Sequence, residues 1–97
     1  MPQIHSTAIV DRRAELAAEV TVGPYCVVDA GVRIGAGSQL HPFCHLYPGA
    51  EIGERVTLHD GVVIANLSQD LKDSGEPSRV VIGPGTCIRE YATVNRS

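Results

Sequence analysis

Aliphatic residues occupy every sixth position from Ile4 to Ile64: Ile4, Val10, Leu16, Val22, Val28, Ile34, Leu40, Leu46, Ile52, Leu58 and Ile64. After a polar interruption the same frame returns at Ile82, Ile88 and Val94. A period of six matches neither the 3.6 of a helix nor the alternation of a half-buried strand. It marks a solenoid in which each short strand sends one aliphatic side chain inward and three strands make a coil. Two residues before each aliphatic sit Ala8, Ala14, Val20, Cys26, Val32, Ser38, Cys44, Ala50, Val56 and Val62. All are small or β-branched, as a tight interior corner requires, because a larger side chain would overfill the prism. Gly23, Gly35 and Gly53 follow aliphatic positions directly and are expected to supply a positive φ at the corners. Ten glycines and six prolines would break every candidate helix. The pattern predicts an all-β parallel β-helix, one domain over residues 1–97, with roughly five coils.

A coil of about 18 residues lets the outer faces be written as tracks. Glu15, Arg33 and Glu51 share one, alternating in sign, which favours neighbours across strands by roughly 0.2–1 kcal/mol. His5, Gly23, His41 and His59 share another, so His41 and His59 are predicted to be direct neighbours. Neutral imidazole is a common metal ligand, but His45 falls on a different track and supplies no third ligand. The reading is a pair of corner or interface imidazoles, with no metal site. Cys26 and Cys44 stack on the same interior corner at a distance that a disulfide could span. A reducing compartment favours two buried thiols instead. Cys87 points outward with no partner at stacking distance, and no Cys-x-x-Cys pair suggests a cysteine metal site.

Charge changes the picture by exclusion. A net charge of −3 leaves no basic footprint for nucleic acid. No apolar run reaches the length of a membrane span and no leader pattern suggests secretion. The expectation is a cytoplasmic chain with no integral membrane segment.

The frame breaks once. Over about residues 66–79 the sequence reads NLSQDLKDSGEPSR, with Asp70 and Glu76 where aliphatic residues were due. A charge cannot point unpaired into an apolar prism without a cost of several kcal/mol, so the segment is expected to leave the wall as a loop punctuated by Gly75 and Pro77. Long polar insertions are well tolerated. A single polar excursion from a structured wall is also where binding groups commonly sit.

QDLKDSGEPSRVVIG followed by CIREYATVNRS, together with IHSTAIV and VGPYCVV, closely resembles the UDP-N-acetylglucosamine O-acyltransferases of lipid A biosynthesis. The hexapeptide portion is shared by many acyltransferases. Gln-Asp-Leu-Lys, Gly-Glu-Pro-Ser-Arg and Ile-Arg-Glu in combination are specific. The resemblance implies a left-handed β-helix, an exception to the usual right-handed crossover, and a parallel homotrimer with clefts between subunits. It also implies transfer of an acyl group, usually (R)-3-hydroxyacyl, from acyl carrier protein to the 3-hydroxyl of UDP-N-acetylglucosamine, with no cofactor or metal.

Carried over by motif, Gln69, Asp70 and Lys72 are the expected substrate contacts, with Asn95 and Arg96 ending the last motif. Asp70 can accept strong hydrogen bonds from sugar hydroxyls. Gln69 can donate and accept, and Lys72 offers a point charge to a diphosphate or an acidic carrier protein. In such enzymes a histidine serves as general base, and none of His5, His41, His45 or His59 matches its motif position. The resemblance therefore implies an N-terminal portion without turnover, lacking the further coils and C-terminal helical domain. Two alternatives remain at this point: a non-catalytic hexapeptide trimer that binds a sugar nucleotide, and a metal enzyme resembling carbonic anhydrase.

Overall fold

A computed structural model of the chain describes residues 1–65 and 79–95. Strands β1 (Gln3–Ile4), β2 (Ile9–Val10) and β3 (Glu15–Leu16) make the first coil. Strands β4 (Thr21–Val22), β5 (Val27–Val28) and β6 (Arg33–Ile34) make the second, and β7 (Gln39–Leu40), β8 (His45–Leu46) and β9 (Ala50–Ile52) the third. Strands β10 (Thr57–Leu58), β11 (Val63–Ala65) and β12 (Val80–Ile82) make the fourth, followed by β13 (Cys87–Ile88) and β14 (Thr93–Asn95). Each strand pairs in parallel with the third strand before or after it, giving three walls: β1-β4-β7-β10-β13, β2-β5-β8-β11-β14 and β3-β6-β9-β12.

The six-residue frame becomes the core. Val22, Leu40 and Leu58 stack on one wall, Val28, Leu46 and Ile64 on the second, and Ile34, Ile52 and Ile82 on the third, all buried. Full burial of one such side chain stabilises by about 1.5–3 kcal/mol. The small residues two positions earlier fill the corners, with Val20, Cys26, Val32, Ser38, Cys44, Ala50, Val56 and Val62 at the interior. Ser38 is satisfied there, since its hydroxyl donates to the Gly53 carbonyl at 2.8 Å and accepts the Val56 amide at 3.0 Å. Cys26 and Cys44 are free buried thiols, donating to the backbone carbonyls of His41 at 3.0 Å and His59 at 3.2 Å.

The glycines do something other than expected. Gly23, Gly35 and Gly53 do not have positive φ. They lie where the backbones of adjacent coils crowd together: a Cβ on Gly35 would stand 2.6 Å from the Gly53 carbonyl carbon. The left-handed backbone occurs two residues later, at the second residue of the turn. From Glu19 onward every described turn has it, whether glycine (Gly31, Gly37, Gly49, Gly61, Gly85) or not (Glu19, Tyr25, Phe43, Arg55, Tyr91). A non-glycine residue in this conformation costs roughly 1–2 kcal/mol, which the close-packed coils must offset.

Paired residues are 18 apart through the first three coils, as in Gln39 with Thr57, but 30 apart across the next step, as in Thr57 with Cys87. The chain between β11 and β12 is therefore longer by two six-residue units. This explains why the aliphatic frame survives the interruption. It also decides which residue fills the wall: with uniform spacing Asp70 would oppose Ile52, and Ile82 takes that place.

Candidate functional site

The long connection starts after Ala65 and ends before β12, at the corner where the β11 and β12 walls meet. Ala65 pairs with Asn95, the last residue of β14, so Asn95 stands one coil above the root of the connection. The Tyr47 amide donates to the Ile64 carbonyl and the Asp29 amide to the Leu46 carbonyl, extending the same corner track downward. Beside it, His45 Nε2 lies 3.1 Å from Asp29 Oδ2 and its ring stacks on Tyr47 with centroids 4.0 Å apart.

On the returning side, Arg79 Nη1 donates to Glu51 Oε2 at 3.0 Å. Glu51 belongs to the charged track read from the sequence. It pairs with Arg33, Arg33 pairs with Glu15, and the Arg33–Glu15 contact is 3.5 Å. The fourth rung is Val81, brought there by the two extra units. This wall carries an open groove of about 690 Å³ lined by Arg33, Glu51, Gly53, Val81 and Pro84 among others. The groove is a feature of the wall and not of the corner, since its lining includes none of Asp29, His45, Tyr47 or Arg79.

Of the residues expected at the site, Gln69, Asp70, Lys72 and Arg96 lie outside the described residues. Asn95 is placed by its backbone beside Ala65, the residue that precedes the segment carrying Gln69, Asp70 and Lys72. The sequence did not indicate the groove, the Arg79–Glu51 pair, or the position of Tyr47 below Ala65. The track through Tyr47 could have been written from the 18-residue spacing, whereas the partner of Glu51 could not, because it depends on the insertion length.

The predicted histidine pair is present. His41 and His59 have ring centroids 4.8 Å apart, and His45 sits on a separate wall between Val27 and Val63. Each of the two imidazoles has a carboxylate at Nδ1: Asp60 at 3.4 Å for His41 and Glu90 at 3.7 Å for His59. Glu90 is held below the usual carboxylate range, first by its own backbone amide and then by Arg89, His59 and His41. Cys87 is a free, exposed thiol, as its outward frame position predicted, and its sulfur lies 3.3 Å from His59 Nε2.

Residues 31–66 match the family described as bacterial transferase hexapeptide (six repeats). The acyl-acyl-carrier-protein–UDP-N-acetylglucosamine O-acyltransferase of Thermodesulfovibrio yellowstonii is 40% identical over 100% of this chain, which covers 38% of that protein. The protein of the same name from Cupriavidus metallidurans is 54% identical over 98% of this chain, which covers 36% of it. Over nearly its whole length the chain is similar to UDP-N-acetylglucosamine O-acyltransferases.

Solved structures agree. LpxA from Acinetobacter baumannii superposes with a TM-score of 0.85 at 38% identity, over 96% of this chain and 36% of that one. The UDP-N-acetylglucosamine acyltransferase of Francisella novicida gives the same TM-score at 33% identity, over 96% of this chain and 34% of that one. The fold is thus the left-handed parallel β-helix of hexapeptide acyltransferases. The chain spans little more than a third of the length of the curated O-acyltransferases it matches.

Proposed function

We propose that this chain supplies one side of the sugar-nucleotide site of an enzyme of lipid A biosynthesis. That enzyme transfers an (R)-3-hydroxyacyl group from acyl carrier protein to the 3-hydroxyl of UDP-N-acetylglucosamine. The observation that carries the reading is the register at the loop root. The pairing of Ala65 with Asn95 sets Asn95 one coil above the residue that precedes the segment carrying Gln69, Asp70 and Lys72, which supports the reading. The relatives' names supply the two substrates. In this reading Asp70 accepts hydrogen bonds from the sugar hydroxyls, Gln69 bonds the amide, and Lys72 and Arg96 face the diphosphate or the acidic carrier protein.

The four histidines have other engagements. His5 Nδ1 lies 2.9 Å from Thr7 Oγ1, His41 faces Asp60, His59 lies between Glu90 and Cys87, and His45 turns Nε2 to Asp29. We assign proton transfer from the acceptor hydroxyl to none of them, because a general base must reach the proton it removes. The 97 residues then contribute binding, not turnover. The assembly proposed is a homotrimer, with the loop corner in a cleft between subunits, working in the cytoplasm. Among the described residues no helix is long and apolar enough to cross a membrane.

Titration calorimetry with UDP-N-acetylglucosamine tests the assignment. Asp70→Ala is expected to weaken binding by more than about 1 kcal/mol, the scale of a lost charge-assisted hydrogen bond. Unchanged affinity in a folded variant removes Asp70 from the site.

A further inference from the structure

The wall opposite the loop corner carries a second constellation. Cys87 on β13 pairs with Thr57 on β10, and its side chain is exposed. His59, one residue past β10, points Nε2 at the Cys87 sulfur from 3.3 Å and Nδ1 at Glu90 Oε2 from 3.7 Å. The ring packs against His41 with centroids 4.8 Å apart and planes tilted by 46°, and is itself 20% exposed. A thiol, a base within reach of its proton, and a carboxylate that orients the base make the arrangement of an activated nucleophile. Nothing in the acyl-transfer reading uses it, and it lies on a different wall from the loop root.

The electrophile can be narrowed by chemistry. Attack on a carbonyl needs donors for the developing oxyanion, and the described surroundings of Cys87 present histidine, glutamate and threonine, not a converging pair of amides. Attack on a disulfide needs no such donors. It needs an accessible sulfur and a group to take the proton.

We propose that Cys87 is a site of thiol–disulfide exchange with small disulfides, with His59 as its general base and Glu90 positioning that base. The Cys87 sulfur attacks one sulfur of the incoming disulfide. A new sulfur–sulfur bond forms as the old one breaks, and the proton passes to His59 Nε2 and then to the departing thiolate. Cys87 is oxidised, the departing sulfur is reduced, and the product is a mixed disulfide on the outer wall. Cys26 and Cys44 stay out of the reaction because both thiols are buried. Both are among the fully buried side chains of the core, out of reach of an incoming disulfide.

The test is the rate of mixed-disulfide formation with dithiobis(nitrobenzoate) on the native protein, followed by released thiol and by intact mass. One thiol per chain reacts fast, and Cys87→Ser abolishes that phase. His59→Gln slows it at least about a hundredfold, the low end of what a positioned base contributes. Glu90→Gln slows it less, while both variants keep the wild-type far-ultraviolet spectrum. A native protein whose Cys87 does not react overturns the proposal, as does a His59→Gln protein that reacts at the wild-type rate. A fast thiol that survives Cys87→Ser does the same.

Discussion

Replacing Gly35 with alanine separates two uses of glycine that look alike in the sequence. The added Cβ would meet the Gly53 carbonyl carbon at 2.6 Å, the Glu54 nitrogen at 2.7 Å and the Gly53 oxygen at 2.8 Å. All three are backbone atoms of the next coil, which cannot rotate away. Gly53 N–H is committed to the Ile82 carbonyl at 2.9 Å and Gly35 N–H to the Ile52 carbonyl at 2.8 Å, so separating the coils strains the ladder. Overpacking that must move backbone costs about 3 kcal/mol, the upper part of its usual range.

Gly31 gives the contrast. Its φ is +80 and nothing lies within 4 Å of the added carbon. The left-handed penalty of roughly 1–2 kcal/mol is partly offset by about 0.4–1 kcal/mol from restricting the unfolded chain, leaving a loss of about 1 kcal/mol. Gly83 has open space and no positive φ, so alanine there is expected to be neutral or to stabilise by about 0.4–1 kcal/mol. Urea denaturation of the three variants, followed by circular dichroism, should give the order Gly35, then Gly31, then Gly83. Equal costs at Gly35 and Gly83, or the largest cost at Gly31, would refute the argument that coil spacing and not φ fixes the glycines after the aliphatic positions.

Two more outcomes follow from the interior and the turns. Ser38→Ala leaves the Gly53 carbonyl and the Val56 amide without their shared partner in a buried corner. Unfolding should show a loss of about 1–3 kcal/mol, and a neutral variant would mean that the corner admits a substitute donor. Asp11 is held below the usual carboxylate range chiefly by the Arg13 amide, which donates at 2.8 Å. A lowered folded value means that its contribution to stability is present above the unfolded value and is lost as pH falls through the folded one. A carbon-detected titration should give a midpoint below that of an unstructured aspartate, and the acid-side slope should flatten in Asp11→Asn. A midpoint at the ordinary value contradicts the assignment.

Why some of this was legible and some not comes down to range. The aliphatic at every sixth position is a local signal with a strict physical cause, because each short strand must bury one side chain. The walls, the core and the neighbouring of His41 and His59 follow from it. Asp70 in an aliphatic position announced the departure of the chain because a buried charge is too costly. The length of the departure was hidden by its own arithmetic. Two whole six-residue units leave the period intact, so nothing in the frame showed that Cys87 lies beside His59. Turn geometry was hidden for a different reason. Glu19, Tyr25, Phe43, Arg55 and Tyr91 adopt left-handed backbone because the coil imposes it, and residue type at those positions carries no mark of it. The site residues Gln69, Asp70 and Lys72 came from motif resemblance, and the structure adds where their segment is rooted.

Amide chemical-shift mapping during titration with UDP-N-acetylglucosamine tests the central claim most directly. The account predicts saturable shifts at Gln69, Asp70 and Lys72, together with Ala65, Asn95 and Arg79 around the loop root. Saturable binding whose shifts centre on His41, His59 and Cys87, leaving Ala65 and Asn95 unmoved, would contradict it.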